Sequence, residues 1–186
     1  MCGIAGIIRF DGAPADESAL RGMMKVMKHR GPDDEGVYTD NSTGFGFVRL
    51  SILDLSELGH QPMQSAGGEL TIVFNGEIFN YIELRQELQS FYPFKSGSDT
   101  EVILAAYLRW GKECLNKLNG MWAFAIHDKR NDEVFISRDR FGIKPLYYYQ
   151  DDTKFVFASD IPPVLSVKED KRKANDKIIY DFIMLN

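Results

Sequence analysis

Short apolar segments come in two groups along this chain, with helical patterns between and around them. Turn-forming residues such as Gly, Asn and Asp follow many of the segments, as expected for strands that pair with their neighbours. Strands are predicted at 2–10, 36–39, 44–50, 69–74, 121–128, 133–138, 146–150 and 154–158. Because runs of neighbouring strands with segregated helices are typical of α+β proteins, we predict an α+β fold rather than an alternating parallel sheet.

Helical patterns occupy the intervals between the strand groups. Asp16 is expected to cap a first helix, which ends before Gly31 and Pro32. Its apolar positions follow helical spacing: Leu20, Met23, Met24 and Met27. Further helices are predicted at 81–91, 99–110 and 112–118, and another begins in the last twelve residues. We therefore expect one domain over residues 1–165 and a connector over 166–186.

The composition excludes several classes of protein. The chain has 186 residues and a formal net charge of −5, so we expect no nucleic-acid partner. We expect neither a membrane-spanning segment nor a secretory leader, and therefore no membrane partner and a cytoplasmic location. The 2 cysteines and 3 histidines lie far apart in the sequence and form no metal-binding pattern. No metal site is expected.

Cys2 directly follows the initiator methionine. If Met1 is removed, the thiol and a free α-amine belong to the same residue, and they titrate near ~8.5 and ~7.7–8.0 respectively. The amine can then accept the thiol proton near neutral pH, which is how N-terminal nucleophiles are activated. The alternative is that Cys2 is a small buried apolar residue beside a strand.

Three further polar positions allow a structural and a functional interpretation. The pair Asn75–Gly76 follows a strand and is a strong signal for a tight hairpin turn. Arg49 ends an apolar strand and would ordinarily lie in water. Ser98 and Glu101 have the spacing of a helix capping box, which places Asp99 in the first turn of the helix. Arg30 and Asp33 are interpreted as buried ion-pair or turn residues that shape a pocket.

Eight segments together carry a resemblance to a known family. In order they are MCGIAGI, HRGPDDEG, RLSILDLS, HQPM, NGEIFNY, SGSDTEVIL, GMWAFAIHD and RDRFGIKPLYYY. They resemble the N-terminal glutaminase domain of glutamine-dependent asparagine synthetases, a class II glutamine amidotransferase of the N-terminal nucleophile hydrolase type. The resemblance covers residues 1 to about 165. It implies an αββα sandwich of two antiparallel sheets flanked by helices, and hydrolysis of glutamine to glutamate and ammonia.

The resemblance also implies a role for each candidate residue. Cys2 would be the nucleophile that forms a γ-glutamyl thioester, and Asn75 with Gly76 would form the oxyanion hole. Arg49 would bind the α-carboxylate of glutamine, and Asp99 with Glu77 its α-ammonium group. The implied substrate-binding set is Arg49, Leu50, Ile52, Leu53, Glu77 and Asp99.

In the resembling family the ammonia passes to a C-terminal synthetase domain of the same polypeptide, which uses ATP and Mg²⁺. The pyrophosphate-binding signature of that domain is absent from these 186 residues, so we expect no cofactor in this domain. A homodimer is a further expected possibility. The sequence leaves other functions open: a glutaminase that feeds a sugar acid or another carboxylate, a non-catalytic regulatory module, or a separate N-terminal nucleophile amidohydrolase.

Overall fold

The computed structural model describes residues 1–52, 56–168 and 174–185. Within these residues the strands form two antiparallel sheets. The first sheet has the order β2 (Asp34–Asp40), β3 (Thr43–Arg49), β1 (Gly3–Arg9), β9 (Lys154–Ala158), β8 (Tyr147–Gln150). The second has the order β4 (Met63–Gln64), β5 (Leu70–Ile78), β6 (Gly120–Asp128), β7 (Glu133–Arg138).

Helices cover the outer face of each sheet. The α-helices are α1 (Glu17–Val26), α2 (Tyr81–Leu88), α3 (Asp99–Trp110), α4 (Ile161–Ser166) and α5 (Asp176–Leu185). Short 3₁₀ helices are formed by Lys28–Arg30, Glu57–Gly59 and Gly111–Asn116. Helix α1 packs on the first sheet and α3 on the second, whereas no residue of α5 is buried. No helix in the described part of the chain is long and apolar enough to cross a bilayer.

Three buried clusters define the layers. Side chains from both sheets form the middle cluster, which contains Phe45, Phe157 and Val73. The other two clusters lie between each sheet and its helices. Both faces of β1 are therefore covered, since Ile4 faces the other sheet and Ala5 faces α1. This explains why its sequence is a continuous apolar run. The predicted α+β αββα sandwich is confirmed.

The structure differs from the local predictions at three places. Asn75 and Gly76 do not turn the chain: β5 continues through them to Ile78, paired residue by residue with β6. The available partner strand outweighs the local turn signal, because pairing satisfies backbone groups that a turn would leave to solvent. The segment at 112–118, predicted as a helix, is a 3₁₀ helix at Gly111–Asn116. The two-residue strand β4 lies between the predicted strands 44–50 and 69–74, where no strand was predicted.

Candidate active site

A cleft lies where the ends of β3 and β5 meet the start of α3, with about 490 Å³ of empty space including its open mouth. Most of the predicted site residues line it: Cys2, Arg49, Leu50, Ile52, Gly76, Glu77 and Asp99. Asn75 is buried beside this group but is not part of the wall, and Leu53 lies outside the described residues. The fold thus brings together residues that are up to 97 positions apart in the sequence.

The thiol of Cys2 lines this cleft and is held by the backbone of Leu50. Its Sγ atom lies 3.5 Å from both the carbonyl oxygen and the amide nitrogen of Leu50. The backbone carbonyl of Cys2 accepts a hydrogen bond from Nε of Arg30 (3.1 Å), and Arg30 pairs with Asp160 (2.8 Å). Arg30 belongs to an ion pair as predicted, although the pair is half-buried, and this pair fixes the backbone of the candidate nucleophile.

Burial raises the pKa of the Cys2 thiol above its ordinary value. The Leu50 hydrogen bond, the positive charge of the N-terminus and that of Arg49 lower it, but by less than burial raises it. The thiol is therefore protonated at neutral pH, and its use as a nucleophile requires a base. Met1 precedes it, half-exposed, with its Sδ atom 3.4 Å from Nζ of Lys144.

A cation and an anion are both buried in the wall of the cleft. Arg49 is only 6% exposed, and its Nη1 donates to the carbonyl oxygen of Ser56 (3.1 Å). The interpretation of Arg49 as a solvated strand end is therefore wrong. Asp99 is 4% exposed, and its Oδ2 accepts from the backbone N–H of Ile78 (2.9 Å). A cleft with one fixed cation and one fixed anion complements a zwitterionic amino acid.

Burial raises the pKa of Asp99 to about 6, and the charge of the neighbouring Glu77 adds to this, while backbone N–H donors from Ile78 and Thr100 oppose it. The carboxylate is thus ionised at neutral pH, and no cation in the described part of the chain compensates its desolvation. An α-ammonium group placed in the cleft would supply that cation.

The helix cap beside Asp99 differs from the predicted capping box. Ser98 is the N-cap as expected, but its Oγ accepts from the N–H of Thr100. The carboxylate of Glu101 accepts from the N–H groups of Lys95 and Ser96 instead of reaching the N–H of Ser98. The loop before α3 folds back over the helix, so the nearer N–H donors of this loop occupy the Glu101 carboxylate. The result is a tightly held helix start that presents Asp99 to the cleft.

Unsatisfied donors lie on β5. Asn75 is 2% exposed, and its Nδ2 atom has no hydrogen-bond partner in the described part of the chain. Its side chain lies on the same face of β5 as Val73, the face that packs toward Cys2 and the other sheet. A buried amide donor without an acceptor is costly, typically by about 1–3 kcal/mol. It is therefore available for an oxygen atom that a ligand brings.

The backbone N–H of Gly76 points into the cleft. The N–H groups of Phe74 and Ile78 leave the same edge of β5, donating to Oε1 of Gln61 (2.6 Å) and Oδ2 of Asp99 (2.9 Å). Successive N–H groups alternate between strand edges, so the Gly76 N–H lies on this edge between the two. A Cβ atom at position 76 would collide with the carbonyl oxygen of Met121 and the ring of Phe74, which explains the glycine.

Sequence reasoning missed six residues of the wall: Phe47, Gly59, Gln61, Phe74, Ser98 and Thr100. Gln61 is the most informative of them, since both of its amide atoms are bonded inside the protein. The segment HQPM was recognised as part of a family resemblance, but nothing in it indicates which side chain faces a cleft.

Comparison with known proteins agrees with this geometry. The family model described as "Glutamine amidotransferase domain" matches residues 1–186. A protein of Methanocaldococcus jannaschii is 46% identical over 193 residues, covering 94% of this chain and 37% of the relative. "Asparagine synthetase [glutamine-hydrolyzing] 1" of Bacillus subtilis is 43% identical, covering 91% of this chain and 27% of the relative. "Asparagine synthetase B [glutamine-hydrolyzing]" of Escherichia coli is 39% identical, covering 90% and 30%.

Solved structures show the same fold. The phosphoribosylpyrophosphate amidotransferase of B. subtilis, complexed with ADP and GMP, superposes with a TM-score of 0.72 at 22% identity, covering 85% of this chain and 42% of the other. The chain spans only 27–37% of the length of the three relatives compared above.

Proposed function

Since the chain belongs to the glutamine amidotransferase domain family, as predicted from its resemblance, we propose that it hydrolyses the side-chain amide of glutamine to glutamate and ammonia. The observation that carries the proposal is the composition of the cleft. A thiol, a buried guanidinium and a buried carboxylate line the same wall, so an α-amino acid can be held by both of its charged groups next to a nucleophile.

Each residue then has a chemical task. Removal of Met1 frees the α-amine of Cys2, which takes the thiol proton, and the sulfur attacks the amide carbon of glutamine. The oxygen that becomes negative accepts hydrogen bonds from Nδ2 of Asn75 and the N–H of Gly76. The ammonium formed on Cys2 returns the proton to the leaving nitrogen, and the C–N bond breaks to release ammonia. Water then hydrolyses the thioester to glutamate and restores the thiol.

Binding of the substrate uses the two buried charges. The guanidinium of Arg49 receives the α-carboxylate, and the carboxylates of Asp99 and Glu77 receive the α-ammonium group. Leu50 and Ile52 line the same cleft, and Leu53 belongs to the proposed set although it lies outside the described residues.

We propose further that the ammonia passes to an ATP-dependent synthetase domain of the same polypeptide that forms asparagine. The names of the relatives and the small share of their length that this chain spans support this assignment. ATP and Mg²⁺ would then bind in that domain and not in this one. The division into a domain at 1–165 and a connector at 166–186 fits the end of α4 at Ser166 and the exposed α5, and a cytoplasmic location suits this reaction.

Intact-mass spectrometry before and after treatment with diazo-oxo-norleucine, a glutamine-like affinity label, tests the mechanism. We expect purified protein to lack Met1 and to gain one label on Cys2. Cys2→Ala should take up no label and hydrolyse no glutamine, yet still bind it. Cys114→Ala is a matched control, because Cys114 is fully buried and outside the cleft, and it should label normally. Full activity with Met1 attached, or turnover by Cys2→Ala, would refute the proposal.

A further inference from the structure

Gln61 lies at the meeting point of the elements that carry the proposed catalytic groups. It is 5% exposed and lines the cleft beside Gly76 and Thr100. Its Oε1 accepts from the N–H of Phe74 (2.6 Å), one residue before Asn75. Its Nε2 donates to Oγ1 of Thr100 (3.2 Å), one residue after Asp99. One side chain therefore joins the strand of the proposed oxyanion donors to the helix of the proposed ammonium-binding carboxylate.

The backbone of the same residue reaches the other sheet. A Cβ atom on Gly36 of β2 would collide with the carbonyl oxygen of Gln61, so the two backbones are in close contact. Strand β2 pairs with β3, which ends at Arg49, and β3 pairs with β1, which starts beside Cys2. The segment around Gln61 thus touches the sheet that bears the nucleophile as well as the sheet that bears the oxyanion donors.

The register of β4 explains why a side chain, and not a backbone carbonyl, accepts the hydrogen bond from the N–H of Phe74. Met63 pairs with Ile72, and continuing this register would place Gln61 opposite Phe74. The ladder ends at Met63, so no backbone carbonyl of β4 reaches the N–H of Phe74. The carboxamide of Gln61 replaces it, because a buried N–H needs an acceptor.

Two of the three N–H groups on the cleft edge of β5 are bonded to side chains. Gln61 occupies the N–H of Phe74 and Asp99 occupies that of Ile78, which leaves the N–H of Gly76 facing the cleft between them. We propose that Gln61 is a positioning residue for glutamine hydrolysis, which holds this edge of β5 in register with α3 and with the Cys2 thiol. The inference rests on the proposed function.

Loss of the two hydrogen bonds of the Gln61 side chain should affect the rate of glutamine hydrolysis more than the binding of glutamine. Asp99 stays bonded to β5 through the N–H of Ile78, so the ammonium contact survives when Gln61 is replaced. The oxyanion donors, in contrast, lose the bond that places them relative to the sulfur. Misplacement of about 1 Å can lower a rate about 100-fold.

The test measures kcat and KM for glutamine hydrolysis in the intact protein. We expect Gln61→Met, which keeps the length of the side chain and removes both hydrogen bonds, to lower kcat about 10- to 100-fold with a smaller change in KM. Ser65→Ala is the matched control, because Oγ of Ser65 accepts from the N–H of Leu70 at the opposite end of β5 and is equally buried. The Ser65→Ala protein should lose about as much free energy of unfolding as the Gln61→Met protein, but its kcat and KM should stay near those of the wild type.

Variants of the partner side chain give a second, independent measurement if Gln61→Met does not fold. Thr100→Val removes the acceptor of Gln61 and should lower kcat in the same direction, whereas Thr100→Ser keeps the hydroxyl and should restore it. An unchanged kcat in Gln61→Met, or in Thr100→Val when only that variant folds, would overturn the role of Gln61. So would an equal loss in Ser65→Ala. Absence of glutamine hydrolysis by the wild-type protein would instead refute the proposed function.

Discussion

Replacing Asp99 by Asn should make the protein more stable at neutral pH and less able to bind glutamine. The carboxylate is almost fully buried at the start of α3, and its pKa rises from 3.8 to about 6. The folded state therefore holds this proton more tightly than the unfolded chain does. Compared with a variant that carries a neutral side chain at position 99, the wild-type protein therefore loses free energy of unfolding as the pH rises from about 4 through about 6.

The size of the effect follows from the same shift. At about 1.36 kcal/mol for each tenfold change in proton affinity, the ionised carboxylate costs about 3 kcal/mol at pH 7.5. At pH 5 the unfolded chain is ionised and the folded chain mostly is not, and the cost falls to about half of that at pH 7.5. Asn keeps an oxygen that can accept the N–H of Ile78, so the variant should gain most of these amounts.

Urea unfolding of both proteins at pH 5 and pH 7.5, without glutamine, measures the difference. We expect Asp99→Asn to be more stable at both pH values, with the larger gap at pH 7.5. A variant less stable than the wild type at pH 7.5, or a gap that does not widen with pH, would refute the reasoning. In the same preparations the variant should show a raised KM for glutamine, because the α-ammonium group of the substrate loses an anionic partner.

Two other residues give sharper tests of the chemistry. Asn75→Ala should lower kcat by about 100- to 1000-fold with little change in KM, since one oxyanion donor contributes ~2.7–4 kcal/mol to the transition state. A defect confined to KM would contradict that role. Arg49→Lys should raise KM by about 10- to 100-fold with a smaller effect on kcat, because lysine lacks the two-pronged donor and a charged hydrogen bond contributes ~1.5–3 kcal/mol. Normal affinity, measured by titration calorimetry with the Cys2→Ala protein as background, would exclude the carboxylate contact.

The layered fold was largely predictable because its signals are local. Apolar runs and turn residues mark most strands, helical spacing marks α1, and the cap residue Ser98 marks the start of α3. The turn at Asn75–Gly76 was predicted wrongly because the same dipeptide fits two environments. Only the position of β6 decides between them, and β6 lies more than 40 residues further along the chain.

The candidate site was predictable by resemblance and much less so by chemistry. An arginine at the end of a strand, such as Arg49, is ordinarily expected to lie in water. The sequence does not indicate that Arg49 is buried and donates to the distant carbonyl oxygen of Ser56. Gln61 lies in the segment HQPM, which contributes to the resemblance, but nothing in the local sequence indicates that its side chain faces the cleft. Its proposed role arises because β4 begins only two residues later, at Met63, and leaves the N–H of Phe74 in β5 without a backbone acceptor from β4. That is a consequence of sheet register and not of a local sequence pattern.

Three of the groups assigned to catalysis and substrate binding share one physical property, which is that burial in the ligand-free fold disfavours the form in which each would act. Burial raises the pKa of the Cys2 thiol, Asp99 bears a desolvated charge, and Nδ2 of Asn75 is buried with no acceptor among the described residues. A folded chain selected for stability alone would replace such groups with apolar or neutral ones. In the proposed mechanism each is complemented by a different part of bound glutamine: its electrophilic carbon, its ammonium group and its developing oxyanion. Glutamine should therefore stabilise the folded protein against unfolding, because the bound molecule supplies a cation beside Asp99 and an oxygen for Nδ2 of Asn75.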